Sequence, residues 1–208
     1  MRKFILLIVL FIVAGLLAYR LLSDKKKSQE SPPDQALRIS KNSGAFDMAF
    51  AGLMSDYFAL KDALVDWDTL KADQAAYAVA AKADSLPVRL IKADTPIIET
   101  AKSLAASIVG EAKGLTGETG IDGRRRSFNM LTSEMYDLIR TVQYDGQKIY
   151  HLRCPMAFGD SAEGFWLSYT PAIVNPYMGN KHPVYKAKMI GCGEVTDSLD
   201  FEKKQAYR

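Results

Sequence analysis

The sequence predicts a mainly α protein, in which a small up-down bundle of about four helices is followed by a short β-containing, loop-rich region. Three observations support this prediction. In the first part of the chain, apolar residues recur at three- and four-residue steps, which is the period of an amphipathic helix. Gly, Pro and Asp residues separate the segments that carry this period. After Gly146 the helical period ends, and short β-branched or aromatic stretches alternate with glycine and proline.

The first two helices are predicted to form a hairpin. The first begins at Ala45 and carries a long apolar stripe. The residues of this stripe are Phe46, Phe50, Leu53, Met54, Tyr57, Phe58, Leu60 and Leu64. The second helix is alanine-rich and extends from about Leu70 to Ser85, where Asp68 or Thr69 can accept hydrogen bonds from the free amide groups at its start.

The third and fourth helices follow two further start signals. Thr95 and Pro96 begin a helix that extends to about Ala112, because proline fits the first helical position. The fourth helix extends from about Arg124 to Thr141, after a glycine-rich loop.

Two expectations about side chains on these helices follow from the pattern. The three adjacent arginines at the start of the fourth helix, Arg124 to Arg126, are expected to form a solvated face. The methionines that lie on the helical stripes are expected to be core residues, and not metal ligands. They are Met48, Met54, Met130 and Met135.

Two short strands are predicted after the helices. Lys148–Arg153 is partly β-branched or aromatic and forms the first, and Glu194–Thr196 forms a second that pairs with it. The segments between them are rich in glycine and proline and are therefore expected to be loops.

Residues 1–22 are predicted to form a transmembrane helix that acts as an uncleaved signal anchor. Phe4–Leu22 is an almost unbroken apolar run without a small-x-small cleavage site. The alternative is a cleaved signal peptide, which would release the domain into the periplasm. We expect the anchored domain on the periplasmic side of the inner membrane, because a normal signal-peptide start precedes the run. The lysines that follow the run argue for the opposite orientation by the positive-inside rule.

The rest of the chain is divided by composition. Residues 23–44 form a polar linker, residues 45–199 form the helical domain, and residues 200–208 form a charged tail. The net charge of +3 and the scattered basic residues exclude an evident nucleic-acid surface. The sequence has no phosphate-binding loop and no dinucleotide fingerprint, and its two histidines offer little for hydrolysis. We expect a protein that is not an enzyme.

Both cysteines lie in two segments that follow the helices. Tyr150–Ala157 reads YHLRCPMA, and Met189–Gly193 reads MIGCG. Thiolate and thioether groups select Cu(I) and similar soft ions over Mg²⁺, Ca²⁺ or Mn²⁺. The sequence therefore predicts a site for Cu(I) or Ag(I) built from both segments. The predicted ligands are Cys154, Met156, Met189, Cys192 and His151.

A second interpretation fits the cysteines equally well. They form a Cys154–Cys192 disulfide in a structural or protein-interaction domain of the cell envelope that holds no metal. Spacing does not decide between the two, and the flanking methionines also suit core packing. Strand alternation places His151 and Cys154 on opposite faces, which favours a packing role for the histidine.

The surroundings of the predicted site add further expectations. Arg153 or Lys188 is expected to lower the pKa of the thiols. Met178 and His182 are weaker ligand candidates. The aromatic residues expected to shield the site from water are Trp166, Tyr169 and Tyr177.

These motifs, together with Asn175-Pro176-Tyr177 and the helical segment Ser55–Val65, resemble a family of uncharacterised bacterial envelope domains. Members occur alone or fused to the C-terminal end of periplasmic adaptor proteins of copper/silver efflux pumps. The resemblance covers about residues 45–199 and implies a helical bundle closed by a metal-binding loop region. It also implies a role in heavy-metal handling, with an efflux adaptor or a metallochaperone as partner. The segment 180–188 is longer than is usual in the family.

Overall fold

The computed structural model describes residues 42–159 and 162–201. The predicted anchor (1–22), most of the 23–44 linker and most of the 200–208 tail lie outside these residues. Within the described ranges, no helix combines the length and the apolar character needed to cross a membrane.

Four α-helices make up most of the described residues. They are α1 (Gly44–Val65), α2 (Thr69–Asp84), α3 (Thr95–Thr116) and α4 (Ile121–Val142). Each helix packs against the next one in the chain, which confirms the predicted up-down bundle. A short 3-10 helix, Val88–Leu90, lies in the connection between α2 and α3.

The helix starts follow the capping chemistry of the sequence. The Ser43 hydroxyl accepts a hydrogen bond from the Phe46 N–H (3.2 Å), and Asp68 accepts one from the Lys71 N–H (3.0 Å). Asp94, and not Thr95, is the cap residue of α3, with Pro96 in the first turn.

Tyr57 connects the bundle to the region that follows it. The predicted stripe of α1 is buried, except for the partly buried Phe58. At its centre, the Tyr57 hydroxyl lies 2.8 Å from the Thr132 hydroxyl of α4 and accepts a hydrogen bond from the Leu167 N–H (3.0 Å). The buried Tyr57 hydroxyl therefore has two hydrogen-bond partners. These two bonds hold α1, α4 and the chain around Leu167 together.

The described sheet has three antiparallel strands in the order β2-β1-β3. They are β1 (Ile149–Cys154), β2 (Gly164–Ser168) and β3 (Glu194–Leu199). The predicted pairing of the first and last strands is confirmed, with Arg153 opposite Glu194. The sequence analysis missed β2, which is short and begins with glycine. β2 packs against α4 and places Gly164 opposite Cys154.

The expectation of a solvated arginine face is wrong for two of the three arginines. Arg124 and Arg125 are 8% and 2% exposed, and only Arg126 points to solvent. Arg124 binds both carboxylate oxygens of Asp73 on α2, at 2.8 Å each. A planar guanidinium can satisfy such a carboxylate with two parallel hydrogen bonds, so burial of this pair is tolerated.

Arg125 connects the bundle to the loop that follows β2. Its Nε donates to the Pro176 carbonyl (2.9 Å), and its Nη2 donates to the Leu64 carbonyl at the end of α1 (3.3 Å). The guanidinium also stacks over the Trp67 ring, 4.1 Å from the ring centroid. Burial lowers the pKa of Arg125 to about 10, and Asp122 opposes this shift.

The expectation that the four helical methionines are core residues is correct for two of them. Met54 and Met135 are buried, whereas Met48 and Met130 are 75% and 52% exposed. The period of an apolar stripe defines its centre better than its edges, and these two side chains lie outside the packed face.

We expect Arg125→Met to lower the free energy of unfolding by about 2–3 kcal/mol, because the Pro176 carbonyl loses its donor and the Leu64 carbonyl loses one of its donors. The matched control is Arg126→Met, which removes an exposed guanidinium 4.7 Å from the Phe158 ring and is expected to cost less than about 1 kcal/mol. Urea denaturation followed by circular dichroism measures both. Equal losses in the two variants would contradict this account of Arg125.

Candidate metal centre

The two cysteines meet where β1 ends and β3 begins. Because these strands pair antiparallel with Arg153 opposite Glu194, the residues just beyond them lie side by side. Cys154 and Cys192 lie close enough together for the Cys192 thiol to raise the pKa of Cys154, and both cysteines are free. Cys154 is fully buried, and Cys192 is partly exposed.

Asn175 joins the two cysteine segments through its side-chain amide. Its Nδ2 donates to the Cys192 carbonyl (2.6 Å), and its side chain lies close enough to the Cys154 thiol to lower the pKa of that group. Its backbone N–H donates to the Ile190 carbonyl (2.9 Å). This asparagine is completely buried, so these contacts replace hydration that it would otherwise lose.

The Asn175 carbonyl groups fix the following turn. The side-chain Oδ1 accepts hydrogen bonds from the backbone N–H groups of Tyr177 (2.8 Å) and Met178 (3.0 Å). The backbone carbonyl accepts from the Gly179 N–H at 2.8 Å. Asn175 therefore caps a turn with both its side-chain and its backbone oxygen. Trp67 holds the far side of the turn, because its indole N–H donates to the Met178 carbonyl (3.0 Å).

Gly164 and Gly193 allow close packing around the two cysteine segments. A Cβ on Gly164 would lie 2.6 Å from Cζ of Tyr177, whose ring covers the end of β2. Gly193 has a φ of +144°, and a Cβ there would lie 2.6 Å from the Arg153 carbonyl oxygen. A side chain at position 164 would displace the Tyr177 ring, and one at position 193 would displace the backbone next to Cys154.

The aromatic surroundings agree only in part with expectation. Trp166 and Tyr177 are both buried beside the cysteine region, and the Tyr177 hydroxyl donates to the Phe165 carbonyl. Tyr169 lies elsewhere, with its ring against Phe58 of α1 at a centroid distance of 4.5 Å. It therefore belongs to the contact between α1 and the loop after β2.

Burial raises the pKa of Cys154. Hydrogen bonds from the Asn175 side chain and the Met156 N–H oppose this shift, and the nearby Cys192 thiol adds to it. The expectation that Arg153 lowers the pKa is wrong, because Arg153 lies on the other face of β1 and binds Glu163 (2.7 Å) and Glu194. A metal ion that binds Cys154 therefore displaces a firmly held proton.

Met156 and Met189 lie in turns directly beside the cysteines. The Met156 N–H reaches the Cys154 sulfur, and the Cys192 N–H donates to the Met189 carbonyl (3.0 Å). Both methionine side chains are partly buried and pack against the core. Met189 ends a second 3-10 helix, Ala187–Met189. The four predicted sulfur residues therefore lie at the end of β1 and in the segment just before β3, which pairs with it.

His151 is not brought to the sulfur atoms. It lies on the face of β1 opposite Cys154, where its ring stacks between Tyr136 and Phe165 at centroid distances of 4.4 and 5.0 Å. Its Nδ1 lies 3.0 Å from the Thr196 hydroxyl. Burial lowers the pKa of His151, although the nearby Asp197 carboxylate opposes the shift.

The two weaker candidates also have other roles. Met178 is buried in the core at 3% exposure. The His182 Nδ1 accepts hydrogen bonds from the N–H groups of Val184 and Tyr185, both at 3.2 Å. His182 therefore stabilises a turn within the exposed 180–188 loop.

No group of three or more His, Cys, Asp or Glu side chains suited to a metal ion occurs in residues 42–159 and 162–201. The predicted donor set is of a different type, because half of its sulfur atoms belong to methionine.

The comparisons with known proteins concern the helical bundle. Residues 53–147 match the family described as "Protein of unknown function (DUF3347)", so a domain of this uncharacterised family is found in the chain. The matched range begins within α1 and ends before β1, so it excludes both cysteines. No curated protein and no solved structure matches the chain. The match is consistent with the expected uncharacterised family, but fusion to efflux adaptors is not part of it.

Two supports of this site were not predicted from the sequence. The first is the link from the Asn175 amide to both cysteine segments. The second is that Arg125 and Trp67 hold the same turn against α1. The Asn-Pro-Tyr motif was the sequence signal that could have indicated the amide link. When the side-chain oxygen of a buried asparagine caps a turn, its NH₂ group still needs partners elsewhere.

We expect Asn175→Ala to lower the free energy of unfolding by about 3 kcal/mol, because the buried N–H groups of Tyr177 and Met178 and the carbonyl of Cys192 lose their partner. Asn180→Ala is the matched control, since the Asn180 amide binds the exposed Asp66 carboxylate (2.7 Å), and it is expected to cost about 1 kcal/mol or less. Urea denaturation of the two reduced variants tests the difference. Similar stability of Asn175→Ala and wild type would disprove the bridging role.

We expect His151 to destabilise the fold as the pH falls below the unfolded value of 6.5, because the folded state resists its protonation. The contribution of His151 to the free energy of unfolding is fully favourable above pH 6.5. It is lost as the pH falls through the lower pKa of the folded state. His151→Phe keeps the ring stacking, so its stability should fall less than that of wild type from about pH 7.5 to about pH 5, a range that includes the ordinary pKa of histidine. Urea denaturation across this range, with an NMR titration of the His151 ring, measures the effect. A His151 pKa above 6.5 would contradict it.

Proposed function

We propose that this domain binds one soft metal ion, Cu(I) or Ag(I), and serves as a membrane-anchored periplasmic chaperone or accessory of heavy-metal efflux. Cys154 and Cys192 bind as thiolates, and Met156 and Met189 bind as neutral thioethers. The observation that carries the proposal is the proximity of two free cysteines at the paired ends of β1 and β3, with Met156 and Met189 partly buried near them in the chain. His151 is left out of the ligand set because it lies on the opposite face of β1.

Partial exposure of the site suits the capture of a metal ion and its transfer to a partner protein. Cys154 is buried, whereas Cys192, Met156 and Met189 are partly exposed, so an incoming ion meets the outer sulfur atoms first. Two thiolates around Cu(I) leave one net negative charge, and the exposed Lys188 lies near this turn in the chain. Methionine binds without losing a proton and forms a weaker bond, which favours release to an efflux adaptor or a metallochaperone.

A second candidate function follows from the same proximity of the two cysteines. A Cys154–Cys192 disulfide would close the loop between β1 and β3 and stabilise the domain by about 4 kcal/mol on the chain-entropy estimate. The domain would then be a structural or protein-interaction module of the envelope without a metal. The two functions differ in their need for Met156 and Met189, because Met→Leu changes in a packed core cost less than about 1.5 kcal/mol.

We expect the reduced protein to bind one equivalent of Cu(I) in an anaerobic titration against a competing chelator. Cys154→Ser should abolish this binding, since it removes a thiolate. The double variant Met156→Leu/Met189→Leu should weaken it by at least about tenfold, or about 1.4 kcal/mol.

The matched control is Met48→Leu/Met130→Leu, which changes two exposed methionines of the bundle and should leave the affinity unchanged. No binding by the fully reduced wild-type protein would disprove the metal function. Equal weakening in both methionine pairs would remove Met156 and Met189 from the ligand set.

A further inference from the structure

The two thiols differ in their access to solvent. Cys154 has no exposed surface at the end of β1, where Tyr177 packs against the neighbouring Gly164. Cys192 is partly exposed and follows Gly191, which has no atom within 4 Å of the position a Cβ would occupy. A small reagent can therefore reach Cys192 through open space, whereas Cys154 is closed to it.

The segment around Cys192 favours an anionic reagent. Lys186 and Lys188 are exposed and immediately precede the Met189–Cys192 turn. The sequence contains no Asp or Glu between Glu163 and Glu194, and Glu194, which follows Cys192 by two residues, is paired with Arg153. Exposed charges of one sign raise the local concentration of ligands of the opposite sign.

We infer that Cys192 is a thiol-modification site for an anionic low-molecular-weight disulfide, and that Cys154 is the resolving thiol. The proximity of the two cysteines at the paired ends of β1 and β3 supplies the second half of this assignment, because the resolving step is then intramolecular. Asn175 keeps the partners in place through its bond to the Cys192 carbonyl.

The exchange balances without any other reactant. The Cys192 thiolate attacks one sulfur of the small disulfide, whose S–S bond breaks, and the first small thiolate leaves and takes up the proton that Cys192 released. Cys154 then loses its proton and attacks the Cys192 sulfur, so the Cys154–Cys192 bond forms and the second small thiol leaves with that proton. Overall, two protein thiols are oxidised and one small disulfide is reduced to two thiols.

This exchange controls the proposed metal site, and that consequence rests on the proposed function. Oxidation removes both thiolate donors together, so only the two methionines remain for a soft ion. Reduction by a thiol in excess restores the site, because thiol–disulfide exchange is reversible.

The test uses the reduced full chain and its two single variants, incubated with oxidised glutathione and followed by intact mass spectrometry. We expect Cys154→Ser to accumulate a glutathione adduct on Cys192. Cys192→Ser should react at least about tenfold more slowly, because its remaining thiol is buried. Wild type should lose two hydrogens and retain no adduct.

Two controls distinguish the solvent accessibility of each thiol from its intrinsic reactivity. In urea, both single variants should react at similar rates, because the fold no longer shields Cys154. Lys186→Gln/Lys188→Gln should slow modification of Cys154→Ser, whereas a remote Lys82→Gln/Lys102→Gln pair should not. Faster modification of folded Cys192→Ser, equal rates for the two folded variants, or a lasting adduct on wild type would overturn the assignment.

A Cu(I) titration of the oxidised and reduced protein then distinguishes the two proposals. Ordered exchange with no Cu(I) binding by the reduced form would disprove the metal function alone. Cu(I) binding by the reduced form, with equal reactivity of the two single variants, would disprove the thiol assignment alone.

Discussion

The region after the bundle depends on one buried amide, that of Asn175. Its oxygen caps the turn at Tyr177, and its nitrogen holds the carbonyl of Cys192 within reach of Cys154. A fully buried amide with all of these partners stabilises one arrangement, since each lost hydrogen bond would leave an unsatisfied group away from water. The relative position of the two cysteines therefore follows from a side chain that lies on neither of their segments.

The bundle supplies the rigid support for this arrangement. Tyr57 binds the backbone of β2 from the centre of α1, and Arg125 binds the carbonyl of Pro176 from the start of α4. Both contacts use buried polar groups that join residues distant in sequence, and such groups have little freedom to move without losing their partners. The uncharacterised family match covers this supporting part, whereas the sulfur residues belong to the part outside it.

Burial of Cys154 has two opposing effects on the proposed metal binding. It raises the pKa of Cys154 and so opposes loss of the proton that metal binding requires. The same burial strengthens the attraction between a bound cation and its thiolate ligands, because water is excluded. Partial exposure of Cys192 gives the site one accessible sulfur, at which both an incoming ion and an oxidising disulfide are expected to arrive first.

The sequence by itself determined the four helices, the pairing of the first and last strands and the two sulfur-bearing segments, because these follow from local apolar period, capping and turn residues. Only the tertiary structure decided that Arg125 is buried, that Met48 and Met130 are exposed and that the Cys154 pKa is raised. It also decided the bridging role of Asn175. Each of these properties depends on which groups from distant parts of the chain surround a side chain, and no local pattern encodes that environment.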